Sequence, residues 1–462
     1  MADSALRGRA RPVIAIVGGG ASGTLTAIGL LRGGTGARVL LIDRDGRHGL
    51  GAAYSTTDPH HLLNACASRM SALPDDPGHL LRWAAGQGVP AEGADFLPRA
   101  LYGRYLRATL DAAEAAAPGR LERVTGTVAR IAEEPDGVRL GLAGGGTVDA
   151  DLVVLATGNP APAPQPFARC VADPWAPGAL AALCDGAPVL VAGTGLTMVD
   201  VAVTVTREAP GAVVYAVSRH GLLPRAHRCP PAPPAEVVLP AGPLGLPALM
   251  RAVREAVREN GGEWRAVVDG LRHQVPGLWD GLDERDRRTF LRLVARHWEV
   301  HRHRIPPATA ERVARLRAEG RLRVLAGRVR AVEEEAGGLL VRLDGAGGGA
   351  GGGGADVRVG HLVNGTGPGR EAAGTPFLGS DAVRHDRFGL GLDAAPDGSV
   401  RGLDGRASRR ISTLGPTLRG VRYETTAVPE IREQAAALAR LVAARAAALG
   451  AGAAAGAGVP AG

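Results

Sequence analysis

The chain contains no lysine, so all 54 of its basic residues are arginine. A Schiff base and a phosphate-binding P-loop both need a lysine amine, which excludes both. Aromatic residues make up only 3% of the chain. With the arginines interspersed among carboxylates, that scarcity argues against a nucleic-acid partner despite the net charge of +8. There are four cysteines, Cys66, Cys170, Cys184 and Cys229, and no C-x-x-C pair. A dithiol reductase, a zinc knuckle and a disulfide framework are therefore not expected. No run of eighteen apolar residues occurs, and the first residues, "MADSALRGRARP", have no apolar h-region. The expectation is a soluble, cytoplasmic protein with no membrane partner. Nor does any Ser/His/Asp arrangement stand out, which leaves catalytic residues unassigned and fits chemistry carried by a cofactor.

What is present is a long, ordinary globular chain of 462 residues, 45% hydrophobic, whose length favours two or three domains. "VIAIVGGGASG" matches G-x-G-x-x-G through Gly18, Gly20 and Gly23, directly after an apolar strand and at the start of a helical pattern. A second apolar strand, "ARVLLID", ends in Asp43, about twenty residues further on. In that arrangement the helix N-terminus, with Ala21 and Ser22, holds a pyrophosphate, and the carboxylate accepts hydrogen bonds from an adenosine ribose.

A second turn, "VLVAGTGLTMVD", keeps Gly193 and Gly195 around Thr194, followed by Leu196 and Thr197, but has Met198 in place of the third glycine. Its next strand, "AVVYAVSR", ends in Ser218 and Arg219 where an acid would stand. An acid repels a 2′-phosphate, whereas a hydroxyl and a guanidinium can bind one, so the second site is expected to take NADPH. The competing reading makes Met198 a helix-packing residue and Arg219 a solvated charge. Arg225, His227 and Arg228 follow and could add phosphate contacts or be ordinary surface.

Two segments repeat one pattern. Residues 121 to 160 and 322 to 368 each run through a short strand, an alternating strand with acidic residues, a hairpin and an apolar strand ending in Thr-Gly-x-Pro. One αβ architecture is thus expected twice. Between the second turn and the second repeat lies a helix-patterned insertion carrying Trp264, Trp279 and Trp298, expected to have a small core of its own and to cover a substrate cleft. Within it His297 and His301 share a helical face, but no third ligand is apparent and no metal is expected.

Taken together, "GGGASGTL", "GLGAAYSTTDPHHLLNACASRMSALPDDPGHLLRWA", "GTGLTMVD", "SRHGLLPRAH", "HWEVHRHR", "VNGTGP" and "YETTAVPEIREQAAALA" are specific. In these motifs the chain resembles the FAD/NAD(P)-binding flavoproteins that include the urate-hydroxylase type and the amine or amino-acid N-monooxygenases, over about residues 12 to 445. The resemblance implies an α/β fold of two Rossmann-like dinucleotide-binding domains of the three-layer type with β-meanders, plus the helical insertion. It implies residues 1–11 as a flexible arm, 12–185 as the first part of an FAD domain and 186–320 as an NADPH domain with the insertion at about 243–320. Residues 321–445 would complete the FAD domain, and 446–462 would be a disordered tail. It further implies Asn64, Met70 and Ser71 near the flavin end, Val128 near the adenine, and Thr157 and Gly158 at the crossing between domains. Gly415 and the helix start at Val428 would face the flavin pyrimidine. Where many such proteins carry Gly-Asp, this chain has Gly415-Pro416. The activity implied is an FAD- and NADPH-dependent monooxygenase acting with molecular oxygen on a small amine, amino acid or heterocycle through a C4a-oxygenated flavin. The alternative is an oxidoreductase or dehydrogenase that inserts no oxygen.

Overall fold

A computed structural model describes residues 11–160, 162, 165, 167, 170–240, 242–345, 354–369, 377 and 380–456. Residues 1–10 of the expected arm at 1–11, the stretch 346–353 and residues 457–462 of the expected tail lie outside these residues.

Strand Val13–Val17 is apolar and buried throughout, as a strand covered on both faces must be. It pairs in parallel with Arg38–Asp43 on one side and Leu152–Leu155 on the other. The six-stranded sheet runs Ser399–Arg401, Ala407–Thr413, Leu152–Leu155, Val13–Val17, Arg38–Asp43, Leu121–Thr125. One face packs on helices Ala21–Arg32, Arg99–Ala115 and Val428–Gly456 through Ile14, Ile16, Leu25, Tyr102 and Leu438. The other face, with Val13, Ala15 and Val17, packs on a three-stranded meander, Val128–Glu134, Gly137–Leu142 and Thr147–Ala150, through Ile131, Val138 and Leu140. Three layers result, as expected.

Among the described residues the second sheet has seven strands in the order Ala355–Val359, Gly338–Gly345, Leu322–Glu335, Val214–Ser218, Val189–Ala192, His361–Asn364, Cys170–Val171. Its helix Leu196–Glu208 and the helix Pro307–Ala318 bury Met198, Val201, Val205, Val313 and Leu316 against Val189, Val191 and Val214. The internal repeat is visible in detail. Both meanders shift register at the same step, between Val128 and Arg130 in the first and between Val329 and Ala331 in the second.

Three boundaries differ from the sequence reading. Strand Leu322–Glu335 pairs in parallel with Val214–Ser218, and His361–Asn364 pairs with Val189–Ala192, so the chain rejoins the first sheet at Ser399 and not at 321. Cys170–Val171 likewise joins the second sheet, although it precedes residue 185. The last helix runs to Gly456, past the expected start of a disordered tail at 446, because an alanine-rich stretch has the highest helix propensity of all.

The insertion comprises helices Leu246–Glu259, Trp264–Leu271, Val275–Gly281, Glu284–Thr289 and Ala295–Arg302. As expected it has a small core of its own, in which Ala256, Val267 and Leu271 pack with Val237 just before it, and a second cluster is shared: Leu246, Val275, Trp279 and Leu282 pack with Tyr423 and Phe388 of the returning chain. Trp279 stacks on Tyr423 with centroids 4.9 Å apart and donates its indole N–H to the Gly420 carbonyl at 2.8 Å.

Candidate dinucleotide sites and a cavity

Parallel register aligns the carboxyl ends of the first sheet. Val17 lies beside Ile42 and Leu155, and Leu155 beside Thr413. The turns that follow, Gly18 to Gly23, Thr157-Gly158 and Gly415-Pro416, therefore meet at one edge, where open α/β sheets bind ligands.

The first turn is a tight cradle. Gly18 has φ +112°, and a Cβ there would lie 2.3 Å from the Ala156 carbonyl oxygen. A Cβ on Gly23 would sit 1.9 Å from the Gly18 oxygen. Only glycine fits either position. Gly20 caps the helix Ala21–Arg32 with no side-chain hydrogen bond, so its first N–H groups are not satisfied by a side-chain cap and suit a phosphate. Asp43 stands beside the turn: Oδ2 accepts from Gly19 N at 3.2 Å, and Oδ1 from Asp45 N and Arg47 N at 3.0 and 2.9 Å. Gly415, at φ +73°, closes over the helix start, where a Cβ would come 2.6 Å from Ser22 Oγ. Its carbonyl accepts from Thr425 Oγ at 2.8 Å, and its N–H donates to Gln434 at 2.9 Å. These contacts fix the Gly-Pro turn without the carboxylate that Gly-Asp would bring. The cradle fits the pyrophosphate and ribose of a dinucleotide.

The second turn repeats the first more loosely. Gly193 has φ +130°, and a Cβ there would lie 1.9 Å from the Gly365 oxygen. Gly195 caps Leu196–Glu208 without a side-chain bond. Met198 is fully buried among the apolar residues beneath this helix. Ser218 is a partner within the turn: its hydroxyl lies 2.8 Å from Thr194 Oγ1, which donates to the Leu222 carbonyl, and Gly221 N donates to Ser218 Oγ at 3.2 Å. Arg219 is exposed at the strand end.

The residues expected at the flavin end have mixed roles. Met70 is 2% exposed and belongs to the main core. Ser71 shapes its own loop, donating to the Asp76 carbonyl at 2.6 Å and accepting from Leu73 N at 3.1 Å. The Asn64 carbonyl accepts from His227 Nε2 at 2.9 Å. Val128 is buried at the head of the meander, two residues beyond Gly126, whose N–H donates to the Asp43 carbonyl. Val428 is buried at the start of the last helix. In the insertion, His301 Nδ1 lies 2.7 Å from the His297 carbonyl, and its ring meets Trp264 edge-on. No metal-binding cluster occurs among the described residues.

A cavity of about 880 Å³ lies between the insertion, the loop after Asn64 and the returning chain, reached by Arg69, Asp269, Arg272, His273, Glu424 and Glu430. Its walls are tied together by ion pairs. Arg272 pairs with Glu430, and Arg304 with Asp269. Arg302 reaches Glu424 at 3.0 Å and Glu430 at 3.2 Å, and the Trp298 indole donates to Glu424 at 2.9 Å. Burial pushes the Glu430 carboxyl up, but Arg272 and Arg302 outweigh it and hold it below the ordinary range. Together with the Trp279 bond to Gly420, these pairs tie the insertion to the returning chain. The sequence reading named none of these charged residues, because their pairing spans up to 158 residues of chain.

Residues 15–160 match the family model described as FAD-NAD(P)-binding, so this part of the chain is an FAD/NAD(P)-binding domain. No curated protein matches the sequence. Among solved structures, the chain is similar to the reduced form of ornithine hydroxylase from Pseudomonas aeruginosa, at TM-score 0.62 and 14% identity over 94% of this chain and 99% of that one. It is similar to the ornithine N-hydroxylase of Kutzneria sp. 744, with reduced FAD, NADP+ and L-ornithine, at TM-score 0.61 and 15% identity over 95% and 100%. It also resembles the thioredoxin reductase of T. acidophilum, at TM-score 0.52 and 10% identity over 93% and 97%. The fold is that of the two-dinucleotide-binding-domain flavoproteins.

Proposed function

We propose that the chain is an NADPH-dependent flavin monooxygenase that hydroxylates a small amine, amino acid or heterocycle. The observation that carries this reading is the pair of glycine cradles in one chain, one tight and followed by Asp43, the other looser and followed by Arg219. FAD held at Gly18 to Gly23 and NADPH held at Gly193 to Thr197 would together supply the redox and oxygen-activating chemistry.

The chain's own residues would do the rest. Gly18, Gly20 and Gly23 admit the FAD pyrophosphate to the helix start at Ala21 and Ser22, and Asp43 receives the ribose. Thr157, Gly158 and Gly415 border the same edge, Val128 stands beside the adenine end, and the helix start at Val428 offers its positive end toward the flavin. Asn64, Met70 and Ser71 build the loop that walls the cavity. Gly193 to Thr197 would hold the NADPH pyrophosphate, with Arg219 taking the 2′-phosphate and Ser218 supporting the turn. The insertion lines one side of the cavity, where the paired Arg272 and Glu430 would meet a polar group of a substrate.

Among the neighbouring chemistries, a thiol relay is disfavoured because the four cysteines are widely spaced and form no C-x-x-C pair. Purified protein should be yellow and should consume NADPH and oxygen faster when substrate is added, giving hydroxylated product. NADPH consumption that yields only hydrogen peroxide with every amine, amino acid and heterocycle tried would point to an oxidoreductase without oxygen insertion. Colourless protein that takes up no flavin would end the reading.

A further inference from the structure

The helix of the second dinucleotide unit is largely apolar but carries one polar stripe. Asp200, Thr204 and Arg207 follow at spacings of four and three, so they share a face, and that face meets the first unit. Thr204 donates its hydroxyl to Asp58 Oδ2 at 2.6 Å, and Arg207 holds both oxygens of Asp58, at 3.0 and 2.9 Å. Arg99, at the head of a first-unit helix, lies 2.8 Å from Asp200. Burial raises the Asp58 carboxyl, yet the Arg207 and Thr204 bonds prevail and keep it well below the ordinary range.

Between them lies His61, wholly buried, with Nδ1 2.7 Å from Thr56 Oγ1 and Nε2 2.9 Å from Thr204 Oγ1. Because the Thr204 proton is given to Asp58, its oxygen accepts from Nε2–H, and Thr56 supplies the proton that Nδ1 accepts. Every polar site of a neutral imidazole is filled. Three residues further along the same loop, His227 of the second unit donates Nε2–H to the Asn64 carbonyl at 2.9 Å, its ring 4.9 Å from Phe96.

We infer that the loop from Asp58 to Asn64 is a two-point clamp fixing the second unit against the first, and that Thr204, Arg207 and His227 are positioning residues for electron transfer between them. The role in electron transfer rests on the function proposed above; the clamp itself does not. Rotating the second unit would strip a buried carboxylate, an imidazole and a carbonyl of their partners together, so the orientation is held cooperatively. The clamped loop runs directly into Ser68 and Arg69 of the cavity wall, which links the position of one site to the shape of the other. Hydride transfer depends steeply on geometry, a displacement of about 1 Å costing on the order of a hundredfold in rate.

The test uses the flavin-loaded protein carrying Thr204→Val, with Thr204→Ser as the conservative control and Arg207→Gln as a second variant should Thr204→Val fail to fold. Anaerobic flavin bleaching at saturating NADPH should slow by about tenfold or more in Thr204→Val and Arg207→Gln, with NADPH affinity within about twofold. Thr204→Ser should bleach like wild type, and dithionite should bleach all of them equally. In parallel, backbone hydrogen exchange over residues 58–64 and 196–208 should speed up by about tenfold in the two disruptive variants only. Unchanged exchange overturns the clamp. Faster exchange with unchanged bleaching overturns its role in electron transfer. A wild-type flavin that NADPH cannot bleach would instead defeat the proposed function, and the exchange measurement would still decide the clamp.

Discussion

Gly23 and Met198 stand at the same step of two glycine turns, three residues after the cap of each helix, yet they meet opposite surroundings. A Cβ at Gly23 would lie 1.9 Å from the Gly18 oxygen, whereas the Met198 side chain is fully buried beneath its helix. The second turn therefore stands further off its helix than the first. Gly23→Ala is expected to abolish flavin retention, measured as flavin absorbance per protein after purification. Gly193→Ala, whose Cβ would lie 1.9 Å from the Gly365 oxygen, should keep the flavin and lose its reduction by NADPH. Retained flavin in Gly23→Ala would contradict the assignment of the first cradle.

Coenzyme choice depends on Arg219 in this reading. Arg219→Asp should raise KM for NADPH by about tenfold or more while changing KM for NADH by less than about twofold, because a charge-assisted contact to a phosphate is worth roughly 1.5–3 kcal/mol. Steady-state assays with both coenzymes decide it. Equal effects on the two would assign the 2′-phosphate elsewhere.

The pH dependence of stability should report on His227. Burial and then the nearby Arg304 lower its imidazole from 6.5 to about 4. Between those values the unfolded chain binds more protons than the folded one, so stability falls as pH drops through the window and is fully lost to this group below about pH 4, roughly 3 kcal/mol in all. His227→Gln keeps a donor for the Asn64 carbonyl and removes the titration. Its melting temperature should therefore fall less than that of wild type between pH 6.5 and 4. Parallel curves would show that His227 does not titrate in this way.

Trp279 is the bolt of the insertion. Trp279→Leu removes its stack on Tyr423 and its hydrogen bond to Gly420, and should lower stability by about 3 kcal/mol in denaturant melts. The flavin should remain bound, since the first cradle is untouched. Flavin release from this variant would mean that the insertion supports the FAD site as well as covering the cavity.

Much of this architecture was legible in the sequence because local pattern and tertiary role agree. Gly18, Gly20, Gly23 and Asp43 sit where a strand, a turn and a second strand must place them, and the repeat was readable because both copies keep the same alternation. Strand partners were not readable: nothing in the periodicity of Leu322–Glu335 says which sheet it joins. The clamp was half visible. A polar stripe of Asp200, Thr204 and Arg207 on an apolar helix is a signal of a buried polar partner, but its complement, Asp58 and His61, lies more than a hundred residues away. The cavity charges were hidden for the same reason.

The order of strands in the two sheets has a consequence for biogenesis. A ribosome has delivered every strand of the second sheet once it passes Asn364, whereas the first sheet still awaits Ala407–Thr413 and the long helix that covers it. The inner unit can consequently assemble early, during translation, while the outer one stays open around it. On the proposed reading, in which the first cradle holds the flavin, its capture would be deferred to the last stage of synthesis, and shortage of flavin would leave a chain whose second sheet is already formed.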